Sequence, residues 1–276
     1  MRRQQGPVDY VLPFLIIVCV GIILILVWNL WKALFGEDTT RAAYLHVIDG
    51  SAQMKTWNTD DYFSLSTDVV VRQGDEISVS NGSKVIVEFF DGTIMRMGGG
   101  STVRFDLLDD KNDNPQLEIS LLDGMIWINK IYKGTAETGL SIDLADIIVD
   151  SRAAGIFEVE SGEDMAVRIF DVFNEDGVLV EILEKGGDKV VEEENVGVGQ
   201  EVVLNDKILE RYWQHQSPSV LAAVSDEFKQ GDWYKWNVAE DTKPTVFEKF
   251  AGVDGAGLVK VEPEEVVGNG EIVEPE

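Results

Sequence analysis

The stretch DLLDDKNDNPQ, residues 106–116, comes nearest to a chemical site in this chain. Asp110, Asn112 and Asn114 take positions 1, 3 and 5 of a calcium loop, where oxygen ligands are needed. Position 6, which needs glycine for a sharp turn, is Pro115, and position 12, which needs a bidentate glutamate, is Leu121. The EF-hand pattern therefore fails. A looser calcium site from Asp109, Asp110 and Asp113 is the metal reading that remains, set against a solvated loop. The two histidines, His46 and His215, lie far apart in segments of different texture. No HExxH, CxxC or GxSxG pattern occurs, which removes the common zinc and nucleophile-elbow enzymes. Among 50 acidic residues no carboxylate pair stands out for glycoside hydrolysis. We expect no catalytic residue and no bound cofactor, with calcium the one candidate ion, and a chain that is not an enzyme.

The residues that suggest binding are aromatic. Trp213, Trp233 and Trp236 fall together in the last third of the chain, and Trp and Tyr are enriched at protein interfaces. These three are the candidate protein-docking residues; the alternative is that they pack back on the rest of the protein. The net charge of −27 excludes nucleic acid, whose phosphates need a basic footprint, and points to cations or basic proteins on the acidic face.

The charge is unevenly placed. Residues 1–36 carry Arg2, Arg3 and Lys32 against Asp9, a balance of +2, so the other 240 residues carry −29. Val11 to Trp31, VLPFLIIVCVGIILILVWNLW, is 21 residues without a charge. A helix of that length spans about 30 Å, the thickness of a bilayer core. Tyr10, Trp28 and Trp31 suit the two interfaces. The run exceeds a signal-peptide core, and WNLWKALFG offers bulky Leu34 and Phe35 where a cleavage site needs small residues. We expect an uncleaved single-pass anchor, residues 11–35, behind a cytoplasmic tail of residues 1–10. Arg2 and Arg3 favour a cytoplasmic N-terminus and an extracytoplasmic C-terminal domain in the cell membrane. Cys19 lies in the anchor as an apolar packing residue, and no disulfide framework exists.

After a linker, residues 36–44, short apolar runs alternate with period two. KVIVEFF, TIMRM, LEISLL, MIWINKI, IFEVE, MAVRIF and VLVEIL are examples. Asp49-Gly50, Asn81-Gly82, Asp91-Gly92, Asp123-Gly124, Asp176-Gly177 and Gly186-Gly187 separate them, dipeptides that allow the positive φ of tight turns. This predicts a mainly β chain, an all-β sandwich or roll over residues 45–205. The Glu192–Glu194 run is expected in an exposed hairpin turn.

Four segments in order resemble the FecR domain family. VRQGDEISVSNGSKVIVEFFDGTIMRMGGGSTVRF has Gly74-Asp75 and Asp91-Gly92-Thr93 at the family's positions. LEISLLDGMIWI resembles its leucine-then-glycine hairpin, with Leu122 and Gly124. IIVDSRAAGIFEVE carries Gly155, Phe157 and Val159, and VGVGQEVVL carries Gly199-Gln200. Ala154-Gly155-Ile156 departs from the family's usual Arg-Gly-Thr. The family's iron-sensing members carry a long anti-sigma segment before the membrane helix, where this chain has about ten residues. The resemblance implies an extracytoplasmic sensing, signalling or protein-interaction module without the anti-sigma role. A structural component of an envelope complex or surface layer is the alternative, and a carboxylate-based carbohydrate hydrolase the third reading.

Beyond Leu204 the period becomes helical, so residues 206–252 are expected as short C-terminal helices. Ile208, Leu209, Tyr212 and Trp213 share one face behind a cap at Asn205 or Asp206. Ser217-Pro218 reads as the start of a second helix with Val220, Leu221, Val224 and Phe228 on one side. DWYKWNVAED and PTVFEKFAG follow, and DWYKWNVAED resembles a Trp-containing stretch found after the FecR module. Residues 253–276 are acidic and poor in aromatics, which predicts a disordered tail.

Overall fold

The computed structural model describes residues 20–23, 25–26, 43–65, 68–109, 115–130, 138–152, 154–172 and 177–242. The chain divides into two units, Met1–Thr39 and Thr40–Glu276. In the first, residues 20–23 and 25–26 are helical, and Val20, Ile22, Ile23, Ile25 and Leu26 are all exposed. The rest of the Val11–Trp31 run lies outside the described residues. Among the described residues no helix is long and apolar enough to cross a membrane.

The second unit is mainly β, with seventeen strands among the described residues, numbered in chain order. One sheet runs β4 (Val69–Val71), β1 (Ala43–Asp49), β6 (Lys84–Glu88), β7 (Ile94–Met97), the second half of β9 (Gln116–Lys130), β12 (Gly155–Ser161), β13 (Asp164–Val172), β16 (Gln200–Asn205) and β17 (Leu221–Ala223). The other runs β3 (Phe63–Leu65), β2 (Ala52–Lys55), β5 (Glu76–Val79), β8 (Thr102–Asp109), the first half of β9, β10 (Gly139–Asp143), β11 (Ile147–Ser151), β14 (Val178–Leu183) and β15 (Val190–Val196). Among the described residues every pairing is antiparallel except β9 with β10.

Alternation decides which side chains enter the core. In β7, Met95 and Met97 are buried in it while Arg96 points to the other face. In β9, Ile126 and Ile128 point in, with Trp127 and Asn129 opposite; in β13, Val167 and Ile169 point in, with Arg168 and Phe170 opposite. The inward residues of both sheets form one apolar cluster that includes Leu45, Ile77, Phe105, Phe157 and Val180. Each such side chain, fully buried, stabilises the fold by about 1.5–3 kcal/mol.

The two sheets are joined by β9. Up to Asp123 it pairs with β8; from Gly124 onward it pairs with β12. Gly124 has φ +84°, and a Cβ there would lie 2.5 Å from Ser101 Cα. Ser101 pins the bend: its hydroxyl donates to Met125 O at 2.8 Å and accepts from Met125 N at 2.9 Å. Asp123-Gly124 is therefore not the hairpin turn its dipeptide suggested. Glycine's positive φ serves a bend within a strand as well as a reversal, and the partners on either side select the bend.

Two further expectations are corrected. Glu192, Glu193 and Glu194 lie on β15, at the edge of its sheet, and the hairpin turn is Lys185–Asp188 before it. Val220–Gln230 is not one helix. Leu221–Ala223 extends the open edge of β16 as β17, and helix begins only at Asp226, capped by Ser225. An unfilled sheet edge offers a short segment more backbone hydrogen bonds than an isolated helical turn can make. PTVFEKFAG and the acidic 253–276 segment lie outside the described residues.

Gly82 also has positive φ, +75°, yet a Cβ there meets nothing within 4 Å. Gly82→Ala is expected to lose only the conformational term, about 1–2 kcal/mol. Gly124→Ala adds a backbone collision and is expected to lower the Tm clearly further. Thermal melts of the two variants side by side check this.

Candidate functional site

The outward face of the first sheet carries an unusual row. Cross-strand register sets Arg96 opposite Trp127, Trp127 opposite Glu158, Glu158 opposite Arg168, and Arg168 opposite Glu201. Five strands thus contribute one residue each to a line across the sheet. On a face open to water these polar groups would be solvated. Here Arg96, Trp127, Glu158 and Glu201 are buried, because the C-terminal helices lie over them.

Among the described residues three helices follow β16. α1 (Asp206–Trp213) is capped by Asn205, which accepts from Ile208 N at 3.2 Å, and buries Leu209 and Tyr212. The Tyr212 hydroxyl donates to Glu194 at 2.9 Å. Burial, then that bond, holds the phenol above its ordinary pKa. α2 (Asp226–Gln230) and α3 (Asp232–Asp241) form the cover.

α3 is fastened at its last residue. Asp241 accepts from Arg96 Nη1 and Asn129 Nδ2, both at 2.7 Å, and from Trp127 Nε1 at 3.1 Å. Arg96 Nη1 also donates to the Asn237 carbonyl at 3.3 Å, and Asn237 Nδ2 donates to Trp233 O at 3.0 Å. A carboxylate at a helix C-terminus opposes the helix dipole. Arg96 beneath the same end reverses that penalty, since a guanidinium suits both the carboxylate and the terminal carbonyls.

Between the fastened end and α2 the packing is aromatic. Trp127 stacks on Phe170 at 4.5 Å between centroids, Phe170 lies parallel to Phe228 at 6.0 Å, and Tyr234 meets Phe170 at 5.3 Å. The Arg168 guanidinium sits 4.3 Å from the Phe228 ring centre.

Arg168 binds three carboxylates. Nη1 donates to Glu158 at 2.7 Å and Glu160 at 2.9 Å, and Nε donates to Glu201 at 3.0 Å. Glu201 also accepts from Ser225 N, the cap of α2, at 3.2 Å. Burial pushes the Glu158 carboxyl up to about 8 from its ordinary 4.5, against the pull of Arg168, with Glu160 and Glu201 adding to the rise. Burial would lower Arg168 itself, but Glu158 and Glu160 outweigh it and hold the guanidinium above its ordinary value.

The three tryptophans singled out from the sequence divide between two places. Trp213 is half-buried on the second sheet, where Nε1 donates to Leu183 O at 2.8 Å and the Lys185 ammonium lies 5.0 Å from its ring. Trp233 and Trp236 share α3, with rings 5.5 Å apart and both half-buried like Trp213. Lys84 Nζ lies 4.6 Å from the Trp236 ring, and the edge of the Trp233 ring lies close over Gly98. No ring contact links Trp213 to that pair among the described residues.

Arg96, Glu158, Arg168, Phe170 and Asp241 went unnoticed in the sequence. One signal was present: Trp233, Asn237 and Asp241 stand four apart and so share one helix stripe. Of the calcium candidates, Asp109 ends β8, while Asp110 and Asp113 lie outside the described residues. Among the described residues no group of three His, Cys, Asp or Glu could hold a metal ion. His46 is hydrogen-bonded to Asp68.

No protein-family model matches the chain, and no curated protein matches it. Two crystal structures of a candidate anti-sigma factor from Parabacteroides distasonis ATCC 8503, at 1.65 and 2.50 Å, are similar to it at 19% and 20% identity. Each covers 48% of this chain with a TM-score of 0.34, and the chain spans about half of that protein, 55%. The architecture described above rests on this chain's own strand pairings.

Asp241→Ala leaves Arg96 buried without its carboxylate, a loss of about 3–5 kcal/mol for a buried pair. Because the site is at the chain's cover, α3 is expected to detach before the sheets melt. Limited proteolysis should then cut near residues 225–242 under conditions in which the parent chain is intact.

Glu158 generates a pH prediction. Its folded pKa lies above its unfolded one, so the native state holds a proton that the unfolded chain releases. The stabilisation is full below about pH 4.5, declines as pH rises, and is gone above about 8. Glu158→Gln cannot titrate, so its Tm should fall less than the parent's between pH 5 and 8, a difference on the order of a few kcal/mol.

Proposed function

We propose that this chain is a membrane-anchored FecR-like domain that serves as a protein-interaction module in extracytoplasmic sensing or signalling. The uncharged Val11–Trp31 run, with exposed apolar residues on its described helical part, supports the anchor. Four FecR-like motifs in order support the module, and Arg2 and Arg3 support a cytoplasmic N-terminus. The observation that carries the interaction reading is the Trp233–Trp236 pair. Asp241 and Asn237 fix α3 to the sheet, so two large aromatic side chains are held partly exposed on a fastened helix, with Lys84 over the Trp236 ring. Rigid aromatic anchors of this kind contribute most to interface energy because little side-chain entropy is lost on binding.

The test uses the full chain in detergent, mixed with solubilised envelope proteins of the source cell and cross-linked. Trp233→Ala and Trp236→Ala are expected to reduce recovery of the cross-linked partner at least tenfold, with unchanged melting of the sheets. Equal recovery from both variants would remove α3 as the docking surface.

A further inference from the structure

The β2–β3 hairpin presents a second aromatic group, unrelated to the C-terminal helices. Trp57 in its turn is 74% exposed, and Tyr62 and Phe63 at the start of β3 are each 42% exposed. Exposure of a tryptophan to this degree forgoes its burial energy, and here the backbone holds it outward. Thr59 N donates to Thr56 O at 3.0 Å, and the Thr56 hydroxyl donates to Asn58 at 2.9 Å. Trp57 N reaches Asp75 Oδ1 at 3.3 Å, and Asp75 Oδ2 accepts from Arg72 N at 2.8 Å. Gly74 lies directly beneath, where any Cβ would come within 2.6 Å of Trp57 Cβ.

The same hairpin ends a sheet. β3 pairs with β2 and with no other strand among the described residues. Edge strands are usually protected by shortness, charge, proline or a bulge, and β3 has only its length of three residues. The opposite edge of this sheet, β15, has that protection in Glu192, Glu193 and Glu194. Phe63-Ser64-Leu65 has no charge, proline or bulge. Asp60 and Asp61 are exposed just before the strand; the Tyr62 hydroxyl donates to Glu76, and the Lys55 ammonium lies 6.0 Å from the Tyr62 ring centre.

We propose that β3 accepts an extended, basic segment of a partner protein as an added strand, with apolar side chains of that segment against Trp57, Tyr62 and Phe63. Main-chain hydrogen bonds to β3 supply the pairing, and the carboxylates at its start select lysine or arginine at the alternate positions. This deepens the protein-interaction reading and rests on it, but involves no residue of α3. Failure here leaves the α3 test standing, and the reverse holds.

The full chain is titrated at 150 mM salt with three capped nine-residue peptides: alternating Val and Lys, alternating Val and Glu, and the Val–Lys composition interrupted by two prolines. The Val–Lys peptide is expected to bind at least tenfold tighter than either of the others. It should slow hydrogen exchange of the Phe63–Leu65 amides, as strand addition requires. Trp57→Ala and Phe63→Thr, both at exposed positions, are expected to weaken it about tenfold. Equal binding of the proline-interrupted peptide would show general attraction to an acidic protein and overturn the proposal. So would unchanged binding by the variants, or loss of peptide binding to competing phosphatidylglycerol vesicles at an unprotected β3.

Discussion

One strand belongs to both sheets, and the rest of the structure depends on how it bends. β9 leaves β8 at Asp123 and joins β12 at Gly124, with Ser101 bonded to both backbone groups of Met125. The bend turns the inward side chains of both halves toward one core, so that Leu117 and Ile119 share it with Ile126 and Ile128. It also sets the register of the second half. Because side chains alternate with period two, a slip of one residue there would send Trp127 and Asn129 inward and Ile126 and Ile128 out.

That register creates the polar row and, with it, the demand for a cover. Arg168 among three glutamates and Arg96 beside an indole are costly if dehydrated without partners. The C-terminal helices satisfy both. Asp241 completes Arg96, and Ser225 and Phe228 close over Glu201 and Arg168. The cover is held by few but strong contacts, chiefly one carboxylate with three donors. It carries Trp233 and Trp236, both half-buried, on a helix fastened at its last residue.

Much of the fold was legible because alternation is a local property. KVIVEFF, MIWINKI and MAVRIF state their inward residues outright, and Asn205-Asp206 marks where α1 begins, with Asn205 the cap in the structure. The errors share one cause. Asp123-Gly124, the Glu192–Glu194 run and Leu221–Ala223 were each read from their own residues, yet each was decided by a neighbouring strand. Glycine allows a turn or a bend alike, and an apolar triplet joins an open edge or a helix according to which is beside it. The candidate site was less legible. Arg96 and Arg168 stand at alternating positions of TIMRM and MAVRIF, but nothing local says that an outward face is covered.

The sequence by itself determined that the chain is mainly β, that its first helical segment is apolar, and that its body is strongly acidic. These follow from residue type and short-range spacing, which act before any long-range contact forms. Only the tertiary structure decided that Asp241 meets Arg96 across 145 positions, that Glu158 is buried beside its guanidinium, and that Trp57 stands in the open. Burial and charge pairing depend on which surfaces are brought together, and here that is set by a strand passing from one sheet to the other.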